Sequence, residues 1–200
     1  MRHFMKIPLS IGIYTILTFS CSQKTQLNSD CKNLIKIDSS EYVKNEISYE
    51  KFDQISELKK INGEIKIPIQ NKTFKDSLSD ENYIEYTVIG KFKNWNLIKG
   101  QNYNQNYYYL ISENQIDSLV GKPKIFENKI LSIEDEYTDF PEIIEIWNIS
   151  EKGNLNREKT FSLKFCKDAP IYESYLSGNN LYIKTGYETG KHEFCKMNIQ

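Results

Sequence analysis

Apolar and polar positions alternate with a period of two along most of this chain, and one stretch breaks that rhythm. In 41–60 (EYVKNEISYEKFDQISELKK), Tyr49, Phe52, Ile55 and Leu58 recur every three residues. That spacing predicts a helix, with Ser48 as N-cap and Asn62-Gly63 as its stop. Strands are predicted over 64–69, 83–89, 95–99, 107–112, 129–133, 142–149, 160–165, 171–176, 181–184 and 194–199. Pro68 lacks an N–H and so demotes the first of these to a sheet edge. Gly121-Lys122-Pro123, Lys152-Gly153-Asn154 and Ser177-Gly178-Asn179 are turn signals between them. Strand follows strand without an intervening helix. The expected fold is therefore all-β and mainly antiparallel, as an open meander, sandwich or propeller-like array of roughly 8–11 strands, with one short N-terminal helix.

Two segments share a form: NKILSIEDEYTDFPEIIEIWNI (128–149) and NNLYIKTGYETGKHEFCKMNI (179–199). Each has an Asn-led strand, a loop with Tyr, Thr and acids, and a strand ending in Asn-Ile. Trp95-Asn96-Leu97-Ile98 ends a similar stretch about 50 residues earlier, a spacing similar to that of β-propeller blades. Three units are fewer than the four or more blades that close a propeller, so an antiparallel meander is the expectation.

The N-terminus has a different pattern. Arg2 and Lys6 precede an apolar, uncharged run from Ile7 to Phe19. That run is shorter than the roughly 20 residues a membrane-spanning helix needs, and it suits the apolar region of a secretory leader. Leu17-Thr18-Phe19-Ser20-Cys21 resembles the lipobox of bacterial lipoproteins: an aliphatic residue, a small residue, then Cys, followed at once by polar chain. The resemblance implies that 1–20 is a cleaved leader and that Cys21 is acylated. Several acyl chains, at about 0.8 kcal/mol per buried CH₂, would hold the protein permanently on a membrane. No acidic run follows Cys21, so the expected location is the cell envelope, on the outer membrane facing the periplasm. Residues 21–40 read as the lipidated Cys and a flexible tether, and 41–200 as a single β-rich domain.

Charge then narrows the partners. The chain carries 26 basic and 27 acidic residues, and loss of Arg2 and Lys6 with the leader takes the net charge from −1 to −3. A mildly acidic domain is not held electrostatically on an anionic membrane, and it offers no field for nucleic acid. His192 and Arg157 would be the remaining His and Arg. That scarcity argues against a His-ligated zinc, a Ser-His-Asp arrangement and Arg clamps on a nucleotide. No cofactor or metal is expected, and no Gly-rich phosphate loop, nucleophile elbow or CxxC motif occurs.

Cys31, Cys166 and Cys195 remain, in a compartment that permits disulfides. Cys166–Cys195 is the favoured pair, since both lie in the strand-rich C-terminal quarter; closing that loop would stabilise the fold by roughly 3.6 kcal/mol in the chain-entropy model. Cys31 bound to the last strand is the alternative.

Two features could carry function. Glu134, Asp135, Glu136, Asp139 and Glu142 cluster between two strong strands, where carboxylates could bind a cation or act as the acid and base of a glycan hydrolase. Trp95, Tyr103 and Tyr107 lie among Phe92, Tyr108, Tyr109 and many amides, a mixture suited to contact with a protein or glycan. Alternation points Tyr108 away from Tyr107 and Tyr109. The function expected is a non-enzymatic, lipid-anchored envelope domain that binds a protein or glycan partner. The alternatives are a carboxylate-dependent hydrolase of envelope glycans and a structural or assembly lipoprotein.

Overall fold

A computed structural model describes residues 33–52, 55–134, 143–163, 170–186 and 190–200. The described chain is mostly antiparallel β-sheet with one short helix. Among the described residues fifteen strands form four open sheets. β5 (Glu85–Phe92), β6 (Trp95–Gln101), β7 (Asn106–Ile111) and β8 (Ile116–Leu119) are one meander. β9 (Pro123–Phe126), β10 (Lys129–Ile133), β11 (Ile143–Ile149) and β12 (Leu155–Ser162) are a second. β13 (Ile171–Ser177), β14 (Asn180–Thr185) and β15 (Glu193–Asn198) begin a third, whose fourth strand is β1 (Leu34–Ile37), paired antiparallel to β15. β2 (Lys60–Ile61), β3 (Glu64–Lys66) and β4 (Thr73–Lys75) form a smaller sheet.

The sheets stack face to face, and three apolar cores fix their order. Leu131, Ile144, Ile146 and Phe161 of the β9–β12 sheet meet Leu176, Leu181, Ile183 and Met197 of the β1/β13–β15 sheet. On its other face the β9–β12 sheet sends Ile130, Trp147, Ile149 and Leu155 against Trp95, Leu97, Tyr108 and Leu110 of the β5–β8 sheet. Ile98 and Ile111 of that sheet then pack on Ile65 and Phe74 of the small sheet. The two middle sheets are thus buried on both faces, which is why their strands contain apolar runs such as EIIEIWNI.

Four tight turns repeat. The first hairpin of every sheet is closed by two residues: Asn62-Gly63, Lys93-Asn94, Glu127-Asn128 and Gly178-Asn179. The first residue of each has positive φ, 51°, 52°, 55° and 55° in that order. Lys93 and Glu127 hold this backbone against the Cβ penalty of about 1–2 kcal/mol. Glu127→Gly should therefore raise the thermal midpoint, by about 2–4 °C for each 1 kcal/mol gained. A lower midpoint would contradict this reading of the turn.

The sequence repeat maps onto equivalent places. Segment 128–149 is β10–β11 and 179–199 is β14–β15, the second and third strands of adjacent sheets. The same backbone bond closes both: Ile149 N–H to Asn128 O at 2.7 Å, and Ile199 N–H to Asn179 O at 2.9 Å. Trp95–Ile98 lies in β6, a second strand, and so is out of step with the Trp-Asn-Ile of β11, a third.

Three expectations are corrected. The helix is Ser39–Lys44, capped by the Asp38 carboxylate on the Glu41 N–H at 2.7 Å, and does not cover 41–60. Residues 46–52 instead pass the edges of the two middle sheets, and 55–58 lie against the β5–β8 sheet and the small sheet. Glu50 N–H bonds Ile125 O of β9, Phe52 packs on Phe92 of β5, and Leu58 reaches the last core. Sheets lie about 10 Å apart, so the crossing of three gaps is within reach of an extended chain but not of a helix rising about 1.5 Å per residue. Gly90 permits the crossing: a Cβ there would lie 2.6 Å from the Phe52 carbonyl oxygen. Residues 34–37, expected to lie outside the domain within 21–40, are part of it, because β1 (Leu34–Ile37) pairs with β15. β3 is the middle strand of its sheet and ends at Lys66, before Pro68 can interrupt it.

Candidate functional site

The tyrosines around the β6–β7 turn form a platform. Tyr86 of β5, Gly100 of β6 and Tyr107 of β7 stand directly opposite one another across three strands. A Cβ at Gly100 would lie 2.8 Å from Cε1 of Tyr86, so the glycine is where the Tyr86 ring lies down over the sheet. Tyr109 continues the row, and Phe74 of the small sheet packs against Tyr86 at 5.1 Å and Tyr109 at 4.9 Å. Beyond this cluster Tyr83 stacks on Tyr103, ring centres 4.7 Å apart and planes 25° apart. Offset stacking of this kind is worth about 0.5–1.5 kcal/mol.

Local polar groups hold the platform. Asn102 Oδ1 accepts the N–H groups of Asn104 and Gln105, at 2.9 and 2.7 Å, making the turn that presents Tyr103. Its Nδ2 donates to the Tyr107 hydroxyl at 3.0 Å. Tyr83 donates to Glu85 at 3.1 Å, and that bond holds the phenol above its usual range. Burial does the same for Tyr86 and Tyr109. Lys60 bridges Asp76 at 2.6 Å and Glu85 at 3.4 Å, while Asp76 also accepts the Tyr86 N–H. Burial pulls the Lys60 ammonium down, but these carboxylates outweigh it and the net shift is upward. Tyr103 is 65% exposed, and Leu78, in the loop leading to Tyr83, is 74% exposed.

Of the expected contact residues, Tyr103 and Tyr107 lie here together. Trp95 does not: it is 1% exposed in the core, and its Nε1 donates to Gly153 O at 2.9 Å. Its alternation on β6 turns it toward the β9–β12 sheet, so it is no part of an exposed contact face. Tyr108 is buried on that same side, as alternation requires. Tyr83 and Glu85 were not legible as site residues, because their partners are 20 residues away or in another sheet.

The acidic cluster falls mostly outside the described residues: Asp135, Glu136, Asp139 and Glu142 lie there. Glu134 accepts the Ile143 N–H at 3.1 Å, a bond that closes the loop at its base. Cys21, Cys31 and Cys166 also lie outside. Cys195 has a free thiol, so the described residues hold no disulfide; it is half-buried, and burial pushes the thiol up. Among the described residues no three His, Cys, Asp or Glu side chains gather to hold a metal ion. No described helix is long and apolar enough to cross a membrane. His192 stacks beside Tyr172, 5.1 Å between ring centres.

A second acidic grouping was not foreseen. Glu145 of β11, 3% exposed, accepts from Arg157 Nη1 at 2.8 Å and from Trp147 Nε1 at 3.1 Å. Asp117 of β8 faces the same seam between the two middle sheets, and its Oδ2 is buried with no hydrogen bond. Burial holds the Asp117 carboxyl above its usual range, with Arg157 pulling it down and Glu145 pushing it up. Glu145 is too enclosed to meet a substrate, and the group ties two sheets together. A raised folded pKa means that ionised Asp117 costs stability at neutral pH, and that the cost disappears as pH falls through the unfolded value of 3.8. Asp117→Asn should thus stabilise the protein at pH 7, by about 1 kcal/mol as expected for one unsatisfied buried oxygen. The gain should vanish below about pH 4. Urea unfolding at both pH values checks this; a loss at pH 7 would contradict it.

No known protein family, curated protein or solved structure matches the chain.

Proposed function

We propose that this chain is a non-enzymatic, lipid-anchored β-domain of the cell envelope that binds a protein or glycan partner. The observation that carries the reading is the stack of half-buried Tyr83 on exposed Tyr103, joined to Tyr107 through Asn102. Tyrosines give large rigid faces at small entropic cost. Monomer surfaces seldom expose apolar groups together without a use for them. The platform belongs to the β5–β8 sheet at its border with the small sheet, away from β1 and the tether in the order of the stack. Fully extended, the chain between Cys21 and Leu34 reaches about 45 Å, which lets an anchored domain present that face to an envelope partner.

In-cell cross-linking and pull-down of the tagged full-length lipoprotein, read by mass spectrometry, tests the proposal. A near-stoichiometric partner, lost on Tyr103→Ser alone while the thermal midpoint falls by no more than about 6 °C, the loss of the stack, is the expected result. No partner above background, or one indifferent to the substitution, would overturn it.

A further inference from the structure

We infer that a second site, separate from the tyrosine platform, binds a neutral oligosaccharide in the cleft between the turns of the two middle sheets. Two hollows of about 500 and 400 Å³ lie among these turns. The Lys93-Asn94 turn and the 150–154 turn contribute walls to both. Such volumes are in the range of small-ligand sites.

The lining sets the ligand class. Asn94, Asn114, Gln115, Asn128, Asn148 and Asn154 supply half a dozen side-chain amides. Asn94 and Asn128 hold the same turn position in adjacent sheets and line one hollow each, and Asn128 Nδ2 donates to Asn148 Oδ1 at 3.4 Å. A carboxamide offers a donor and an acceptor side by side, the pairing that vicinal hydroxyls can satisfy at once. Lys93 and Lys152 are balanced by Glu151 and Glu113, so the cleft has no net charge to favour an ionic ligand. Ile149 is the apolar contributor, too little for a hydrophobic ligand.

The walls are also preformed. In the 150–154 turn, Ser150 N–H bonds Asn154 O at 2.9 Å and Gly153 N–H bonds Ser150 O at 2.8 Å. Ser150 Oγ accepts the Asn154 N–H at 3.0 Å, and buried Trp95 holds the Gly153 carbonyl from below. Gly153 has φ of 77°, and a Cβ there would lie 3.2 Å from the Asn94 side chain. Across the cleft, Ser112 Oγ accepts the Gln115 N–H at 3.1 Å, and Gln115 Nε2 donates to Leu155 O at 2.9 Å, tying the two sheets' turns together. Amides on such fixed turns lose little freedom on binding.

The test is calorimetric titration of the full-length lipoprotein in detergent with neutral hexose and N-acetylhexosamine tetrasaccharides, beside a uronic acid tetrasaccharide. At least one neutral sugar should bind. Asn94→Ala with Asn154→Ala should weaken it about tenfold or more, without moving the thermal midpoint, because both residues are exposed. Tyr103→Ala should leave it unchanged, which separates this site from the platform. Three results would overturn the inference: no heat from any neutral sugar at about 5 mM, binding indifferent to the Asn pair, or tighter binding of the uronic acid sugar.

Discussion

Gly121→Ala is expected to be among the most damaging single substitutions in the domain. A Cβ at Gly121 would lie 1.6 Å from the Ile133 carbonyl oxygen and 2.5 Å from its carbon. Both are backbone atoms of β10, so no side-chain rotation relieves the contact. The backbones meet here because Ser132, fully buried, donates its hydroxyl to Gly121 O at 2.9 Å and accepts the Gly121 N–H at 2.8 Å. Gly121 lies in the link from β8 to β9, so the latch fixes how one middle sheet hands the chain to the next. Forced backbone separation breaks both bonds and opens the cores on either side. A loss of about 3 kcal/mol or more is expected in denaturant unfolding, within the range of overpacked and unsatisfied buried groups. Ser132→Ala, which deletes the hydroxyl without a clash, should cost about 2 kcal/mol. A Gly121→Ala protein of wild-type stability would show that the close approach is not required.

Arg157→Met should be nearly as costly. Glu145 is 3% exposed while Arg157 is 55% exposed, so the carboxylate is the buried partner and the guanidinium its route to solvent. Arg157 also lies over the Trp147 ring at 5.5 Å, and Met keeps much of that packing. What Met removes is the charge, leaving Glu145 with the Trp147 indole N–H. Breaking a buried pair from one side costs about 3–5 kcal/mol, and the exposure of Arg157 puts the expectation at about 2–3 kcal/mol. Glu145→Gln in the same chain should recover part of the loss, because it removes the stranded charge. A double-mutant cycle with no coupling would contradict this account of the seam.

Much of this architecture was legible in sequence, and the misses have physical causes. Strands in the middle of sheets carry both alternation and length, so β10 and β11 could be read directly. β1, β4, β8 and β9 have three or four residues each, too few to establish a period. The Tyr49, Phe52, Ile55, Leu58 spacing looked helical, yet those side chains serve different neighbours. Tyr49 sits on Phe126, Phe52 on Phe92, and Ile55 is 95% exposed. A spacing of three cannot distinguish one helical face from successive docking points on several sheets. The site was half legible. Tyr103 and Tyr107 stood out by composition, but Trp95 shared that composition and is core. The Tyr83–Tyr103 stack and the Glu145–Arg157 tie join residues whose proximity only the sheet order creates.

The central claim is that the tyrosine platform is the face that meets a partner. Its most direct test is a photo-cross-linking amino acid placed at Tyr103 in the full-length protein and, as the control, at Lys75 on the small sheet. Irradiation of intact cells should give a discrete adduct from position 103 and none from position 75. Adducts from neither position, or equally from both, would contradict the claim that this platform is a binding face.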